Sequence, residues 1–163
     1  MVTAYIALGA NLGDAAQAIR QAVKAMDALP ECSINKTSSL YQSASLETLP
    51  GHAPGSDYVN AVVEIETRLT APALLQALQQ LELAAGRERP YLNAPRTLDL
   101  DLLFYGDGRI DSAQLTVPHP RMWQRAFVLM PLSEIAPGLV NASQLDRVNN
   151  QLVRRIGYLQ PEI

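Results

Sequence analysis

Two amphipathic helical stripes alternate with four strand-like runs in the order strand, helix, strand, strand, helix, strand, and this order constrains the fold more than any other feature of the chain. The first strand is Tyr5-Ile6-Ala7-Leu8. Gly9-Ala10-Asn11-Leu12-Gly13-Asp14 then turns the chain into a helix with Asp14 as N-cap. Ile19, Val23 and Met26 give that helix its apolar face to about residue 29, and Pro30 stops it. A strand is expected over 34–42. Residues 43–57, with two prolines and two glycines, form a connection too long for a simple hairpin.

Tyr58 to Glu66 alternates: Val59, Ala61, Val63 and Ile65 face a core, while Tyr58, Asn60, Val62, Glu64 and Glu66 share the other side. Thr70 caps a second helix with Pro72 in its first turn, a buried stripe of Leu74, Leu78, Leu81 and Ala85, and Gly86 at its end. A loop then leads to a strand through Asp99 and Asp101, and Gly106-Asp107-Gly108 turns out of it. Leu115-Thr116-Val117 reads as a short strand, Pro118-His119-Pro120 as a break, 121–135 as partly helical and 143–155 as a weaker helix. The expected fold is α+β, a ferredoxin-like βαββαβ core with C-terminal additions, its helices packed on one main face of a mainly antiparallel sheet. With no repeat, low-complexity stretch or dividing linker, 1–163 reads as a single domain, long enough to bury roughly 68–70% of its unfolded surface.

Asp99 and Asp101 stand in the run Pro95-Arg96-Thr97-Leu98-Asp99-Leu100-Asp101-Leu102-Leu103-Phe104-Tyr105. Side chains two apart on a strand share a face, so both carboxylates leave one side about 7 Å apart, and the leucines leave the other. Such a pair on its own more often marks the solvated face of an edge strand. Here Arg96 precedes it, and the apolar continuation Leu102-Leu103-Phe104 points to a central strand. Like charges so close call for a cation between them, and a hard ion such as Mg²⁺ accepts carboxylate oxygen. A metal-bound phosphate chain is the natural cargo.

Eleven of the thirteen basic residues are arginine, and Arg87, Arg89, Arg96, Arg109, Arg121 and Arg125 fall within one stretch of about forty residues. The guanidinium fork suits phosphate oxygens. The net charge of −3 makes this a local basic site and argues against a nucleic-acid-coating surface. The loop at Gly9 to Asp14 lacks the Lys-Ser/Thr ending of a P-loop and the third glycine of a dinucleotide fingerprint, so it reads as a turn and cap. Tyr58 and Asn60 on one strand face offer a stacking plane beside a donor and acceptor, which suits a flat nitrogen heterocycle. His119 reads as a loop histidine satisfied by backbone or as a phosphate contact, and Glu82 as a solvated or partly buried helix residue. The lone Cys32 cannot form an internal disulfide. Without a basic apolar leader or a run of 18 apolar residues, a cytoplasmic protein with no membrane partner is expected.

Taken together, these segments resemble the 6-hydroxymethyl-7,8-dihydropterin pyrophosphokinase family of folate biosynthesis. The resemblance is carried by 4–14, Asp57-Tyr58-Val59-Asn60-Ala61, 81–89, Pro95-Arg96-Thr97-Leu98-Asp99-Leu100-Asp101 and Leu115-Thr116-Val117-Pro118-His119-Pro120-Arg121-Met122. It continues through Arg125-Ala126-Phe127-Val128-Leu129 and covers nearly everything before about residue 140. It implies that Asp99 and Asp101 hold two Mg²⁺ ions bridging the triphosphate of ATP, and that Tyr58 and Phe127 sandwich the pterin ring. Asn60 would bond the ring edge, with Ser43 and the Leu46 backbone lining the same pocket. Arg89, Arg96, His119 and Arg125 would hold the phosphates, and Gln79, Glu82, Leu102 and Thr116 would lie along the nucleotide. Arg89, Arg96 and Arg125 join the two aspartates in the catalytic set.

The implied reaction is attack of the pterin hydroxymethyl oxygen on the β-phosphorus of ATP, with AMP leaving, in a monomeric enzyme. The chain departs from the family at Leu92-Asn93-Ala94, where an arginine and a tryptophan often stand, and at Pro120, where a tyrosine is sometimes found. Two other functions share parts of this reading. A metal-dependent phosphohydrolase also uses paired carboxylates, and a non-catalytic ferredoxin-like ligand-binding module needs neither.

Overall fold

The first strand, β1 (Val2–Ala10), hands over to α1 (Ala15–Asp27) through the expected cap: the Asp14 carboxylate accepts the Gln17 N–H at 3.1 Å. The structure, a computed structural model, describes residues 1–11, 14–43, 58–85 and 98–159. Two short strands follow, β2 (Cys32–Thr37) and β3 (Ser39–Ser43), and then β4 (Tyr58–Thr67). Thr70 caps α2 (Ala71–Ala84), its Oγ1 accepting the Ala73 N–H at 3.3 Å. After β5 (Asp99–Tyr105) come a small hairpin, β6 (Ile110–Asp111) with β7 (Thr116–Val117), a 3-10 turn at Met122–Gln124, and α3 (Ala126–Ile135). The chain ends its described course with α4 (Ala142–Asp146) and β8 (Val153–Tyr158).

The main sheet has the order β5-β1-β4-β3-β8, with β2 also paired to β4, and every pair is antiparallel. Strands β1 to β5 with α1 and α2 make the ferredoxin-like core, β2 and β3 together standing as its second strand, and β8 extends the sheet beyond β3.

Five details differ from the sequence expectation. The strand expected over 34–42 is broken at Ser38, whose buried N–H donates to the Val62 carbonyl and whose Oγ accepts the Val62 N–H, both at 2.9 Å. Thr37 pairs Val63 whereas Tyr41 pairs Asn60, so four steps on this side match three on β4, the mark of a bulge. The Asp strand is an edge strand, not a central one, because among the described residues only β1 flanks it within the sheet. Its apolar continuation arises from a second bulge: Leu102 pairs Ile6 and Phe104 pairs Tyr5, leaving Leu103 unopposed, so Leu103 and Phe104 pack on the same side.

The remaining three concern helices. They cover both faces of the sheet, not one. Packed with α1 and α2 are Ile6, Leu8, Val63, Ile65, Leu100 and Leu102, while α3 covers the other face at Ala7, Val62 and Leu103. Val62 is therefore fully buried although it shares its side with Asn60 and Glu64. In α2, Ala85 is exposed beyond the helix end, and Glu82 occupies the inner position. Finally, 143–155 is a five-residue helix followed by a strand, since β8 finds backbone partners along the open edge of β3.

Candidate active site

Strand register places the site residues in rows on the α3 face. Gly9 lies opposite Asp99 on one side and Asn60 on the other, and Asn60 lies opposite Tyr41; two residues back along β1, Ala7 lies between Asp101 and Val62. Two strand spacings separate Asp99 from Asn60, about 10 Å, with only the hydrogen of Gly9 between them. Small residues at 7 and 9 thus leave a trough in the sheet. The first residues of α3 roof it over, because the 3-10 turn before the helix brings Arg125, Phe127 and Val128 above the trough.

The result is a cavity of about 230 Å³ lined by Ala7, Leu8, Gly9, Ser43, Tyr58, Asn60, Asp99, Asp101, Arg125, Phe127 and Val128. Seven of the residues expected to serve the pterin and its reacting group meet here: Ser43, Tyr58, Asn60, Phe127, Asp99, Asp101 and Arg125. Asn60 is buried, and its Nδ2 donates to Ser43 Oγ at 2.8 Å, leaving the amide orientation fixed by a neighbour in the same wall. The Arg125 guanidinium stands 5.6 Å above the Phe127 ring centroid and 3.9 Å from Asp101 Oδ2, a charge pair without hydrogen-bond contact.

A second cavity, of about 270 Å³, opens on the outer side of β5 between it and the β6-β7 hairpin. Asp101, Leu102, Thr116 and His119 line it, together with Leu75, Leu100, Pro120 and residues 112–115. Asp101 is the residue common to the two cavities. His119 is held at the rim by its N–H, which donates to the Leu103 carbonyl at 3.0 Å, and its Nδ1 accepts the Arg121 N–H at 3.2 Å. Burial, then the nearby charges of Arg125 and Arg121, push its pKa below the ordinary histidine value against an opposing pull from Asp99. Neutral His119 therefore carries its proton on Nε2, a donor free of the Arg121 contact.

Glu82 does not line either cavity. It is buried, and its Oε2 accepts the Leu100 N–H at 2.9 Å, the amide that lies between the two aspartates on the open edge of β5. Gln79 is exposed on α2 and lines neither cavity. Leu46, Arg89 and Arg96 lie outside the described residues, as do Arg87 and 92–94. Sequence reasoning missed Ala7, Gly9, Leu8 and Val128. The signal for the first two was present: small residues alternating with Tyr5 on one strand face make room for a ring.

The two aspartates supply oxygen donors alone, which suits Mg²⁺, and they are too few for its six-oxygen shell, so phosphate and water must furnish the rest. No cluster of three or more metal-ligating side chains occurs among the described residues, nor a helix long and apolar enough to cross a membrane.

Comparisons with known proteins give the family and the fold. Residues 5–137 match the family model described as 7,8-dihydro-6-hydroxymethylpterin-pyrophosphokinase (HPPK). The chain is 46% identical over 140 residues to the 2-amino-4-hydroxy-6-hydroxymethyldihydropteridine pyrophosphokinase of Haemophilus influenzae, covering 86% of this chain and 85% of that one. The protein of the same name from Pseudomonas aeruginosa is 44% identical over 83% and 81%. Among solved structures, an HPPK-DHPS in complex with substrates superposes with a TM-score of 0.65 at 11% identity, covering 91% of this chain and 45% of that one. Wild-type Plasmodium falciparum HPPK-DHPS with pterin and p-hydroxybenzoate gives 0.64 at 15%, covering 91% and 42%. These larger chains carry the same fold over somewhat less than half their length.

Proposed function

The chain belongs to the 7,8-dihydro-6-hydroxymethylpterin-pyrophosphokinase family, and from that premise we propose how the two cavities that meet at Asp101 divide the reaction between them. The enzyme is an ATP-dependent diphosphotransferase that passes pyrophosphate to the hydroxymethyl group of 6-hydroxymethyl-7,8-dihydropterin in folate biosynthesis. The 230 Å³ cavity takes the pterin: Tyr58 and Phe127 bracket the ring, and Asn60 with Ser43 reads its edge. The family resemblance adds Leu46, outside the described residues, as a further pterin contact. The outer cavity takes the nucleotide along Leu102, Thr116 and His119. One observation carries the division, namely that Asp101 lines both cavities, with Arg125 beside it. The phosphoryl group in transfer belongs at that shared wall.

Asp99 and Asp101 would hold two Mg²⁺ ions, which when bound neutralise the triphosphate and polarise it toward attack. The chain's own residues align the reactants. Arg125 offers its guanidinium to the transferring group while its plane lies over Phe127, so a phosphate contact and a ring wall depend on one side chain. His119 donates its Nε2 proton to a phosphate oxygen, and Arg89 and Arg96 bring further charge from outside the described residues. Holding the hydroxymethyl oxygen in line with a fixed phosphorus supplies the orientation, and the arginines offset the charge that develops. A hydrolase or a passive binding module does not explain the family match. The protein acts as a cytoplasmic monomer.

The deciding experiment incubates the protein with Mg-ATP and the hydroxymethyl pterin and follows AMP. Asp99→Ala and Asp101→Ala are each expected to abolish AMP release and weaken Mg-ATP binding with the fold intact, relief of repulsion between the neighbouring carboxylates offsetting, in Asp101→Ala, the loss of the 3.9 Å pair with Arg125. Near wild-type turnover in either variant would remove the metal assignment. Inorganic phosphate in place of AMP would mark a hydrolase.

A further inference from the structure

Seven residues, two helical turns, separate Phe127 in the roof of the first cavity from Glu134 on the same helix. Both side chains therefore leave α3 on one face, about 10 Å apart. Beneath them runs β3, with Ser39, Tyr41 and Ser43 alternating to one side over about 13 Å. Ser43 lines the cavity, and the other two hold Glu134. The carboxylate accepts the Ser39 N–H at 3.0 and 3.1 Å, the Ser39 hydroxyl at 3.0 Å and the Tyr41 hydroxyl at 2.7 Å. From β8, Arg155 joins the same group. Its Nη2 lies 3.7 Å from Glu134 Oε1 and donates to the Tyr41 hydroxyl at 3.4 Å, with the guanidinium 5.9 Å over the Tyr41 ring. In the sheet, Tyr41 pairs Arg155 on one side and Asn60 on the other, so this cluster stands in the same row as the pocket's amide.

We propose that Glu134, through Tyr41 and Arg155, is a clamp that sets the gap between α3 and β3 in which the pterin ring is gripped, which makes Glu134 and Arg155 positioning residues for that substrate. One carboxylate bonded to alternate residues of one strand fixes both the height and the sliding of the helix over the sheet. Two turns away, that height becomes the clearance between Phe127 and the wall carrying Tyr58 and Ser43. Contacts to a flat ring fall away steeply with a gap of roughly half an ångström. The clamp also gives the C-terminal strand a part in substrate binding. Arg155 lies beyond the 5–137 stretch that matches the family model, yet it closes on the pocket's back wall.

The inference rests on the reading of the 230 Å³ cavity as the pterin pocket, so the test carries Tyr58→Ala as a control for that reading. Calorimetry, at a temperature where every variant is folded, measures the affinity for the pterin and separately for a non-hydrolysable Mg-ATP analogue, alongside KM and kcat. Glu134→Gln and Arg155→Met are expected to weaken pterin binding and raise its KM roughly tenfold, with nucleotide affinity and kcat at saturating pterin within about twofold of wild type. Arg155→Lys, which keeps a positive charge beside Glu134, should recover most of the loss, and the Glu134→Gln/Arg155→Met double variant should lose less than the product of the two. Normal pterin affinity in both single variants, with Tyr58→Ala impaired, overturns the clamp. So does an equal loss for pterin and nucleotide, which is the signature of general loosening. If Tyr58→Ala leaves pterin binding intact, the pocket reading falls first and takes the clamp with it. Should Glu134→Gln fail to fold, Arg155→Met, at a side chain 56% exposed, decides the matter alone.

Discussion

Gly9 shows how much one missing side chain contributes. Its neighbours across the sheet are Asp99 and Asn60, and a methyl built on it would meet Asn60 Oδ1 at 3.4 Å while filling the floor of the trough. That distance is tolerable for the folded protein, and replacing glycine by alanine in a strand removes freedom from the unfolded chain, worth about 0.4–1 kcal/mol toward stability. Gly9→Ala should therefore unfold at the wild-type temperature or slightly above. The pterin, however, loses the clearance the methyl occupies, and its affinity should fall by roughly tenfold, on the scale of an overpacked contact. Thermal unfolding and pterin calorimetry on the same sample separate the two effects. Unchanged pterin affinity would mean that the ring does not lie across the β1 floor.

At the scale of elements, β5 is a strand whose exposed edge is managed by neighbours outside the sheet. Glu82 from α2 accepts its Leu100 N–H, and the His119 N–H caps its Leu103 carbonyl. The first of these bonds sits between the two aspartates, so α2 holds the strand straight where the carboxylates leave it. Glu82→Ala leaves a buried amide without its acceptor and should cost about 1–3 kcal/mol of stability, along with a weaker grip on Mg-ATP, whereas Glu82→Gln retains an acceptor and should cost less. Denaturant unfolding and nucleotide calorimetry of the pair check this; equal stability of Glu82→Ala and wild type would show the bond to be incidental.

The same strand marks the boundary of what the sequence makes legible. Alternation at Tyr58 to Glu66, the caps at Asp14 and Thr70, and the facing of Asp99 with Asp101 follow from local periodicity and are all present. The bulges at Ser38 and Leu103 are not local, since each is defined by the count of residues on a partner strand. Leu102-Leu103-Phe104 therefore looks central when it is an edge strand kinked to present two residues to α3. For the same reason Val153 to Tyr158 gives no strand signal: its burial pattern is mostly exposed, and it is a strand because β3 offers it an edge. Glu82 stayed open between a solvated and a partly buried helix residue because its partner is a backbone amide on another element, which no side-chain pattern announces.

For the whole molecule, Glu134 and His119 among the described residues tie stability to pH in the same direction. Burial raises the Glu134 pKa, but the hydrogen bonds from Tyr41 and Ser39 and the charge of Arg155 outweigh it and leave the group below its ordinary 4.5. Its stabilisation is thus complete above 4.5 and lost as the pH falls through the folded value. His119 is depressed below its ordinary 6.5, so between the folded value and 6.5 the unfolded chain binds more protons than the folded one. Stability again declines as the pH falls, beginning near 6.5. Unfolding free energy of the apo protein should therefore be level from about pH 8 to 7, decline first through the histidine window and decline again below about 4.5. His119→Gln should flatten the first decline and leave the second; Glu134→Gln should do the reverse, with its deficit relative to wild type constant above about pH 5 and shrinking in acid. Denaturant titrations of the three proteins across that range give the answer. A Glu134→Gln deficit that grew toward acid would show that the carboxylate is held in its protonated form, and a His119→Gln profile identical to wild type would show that the imidazole titrates alike in the folded and unfolded chain.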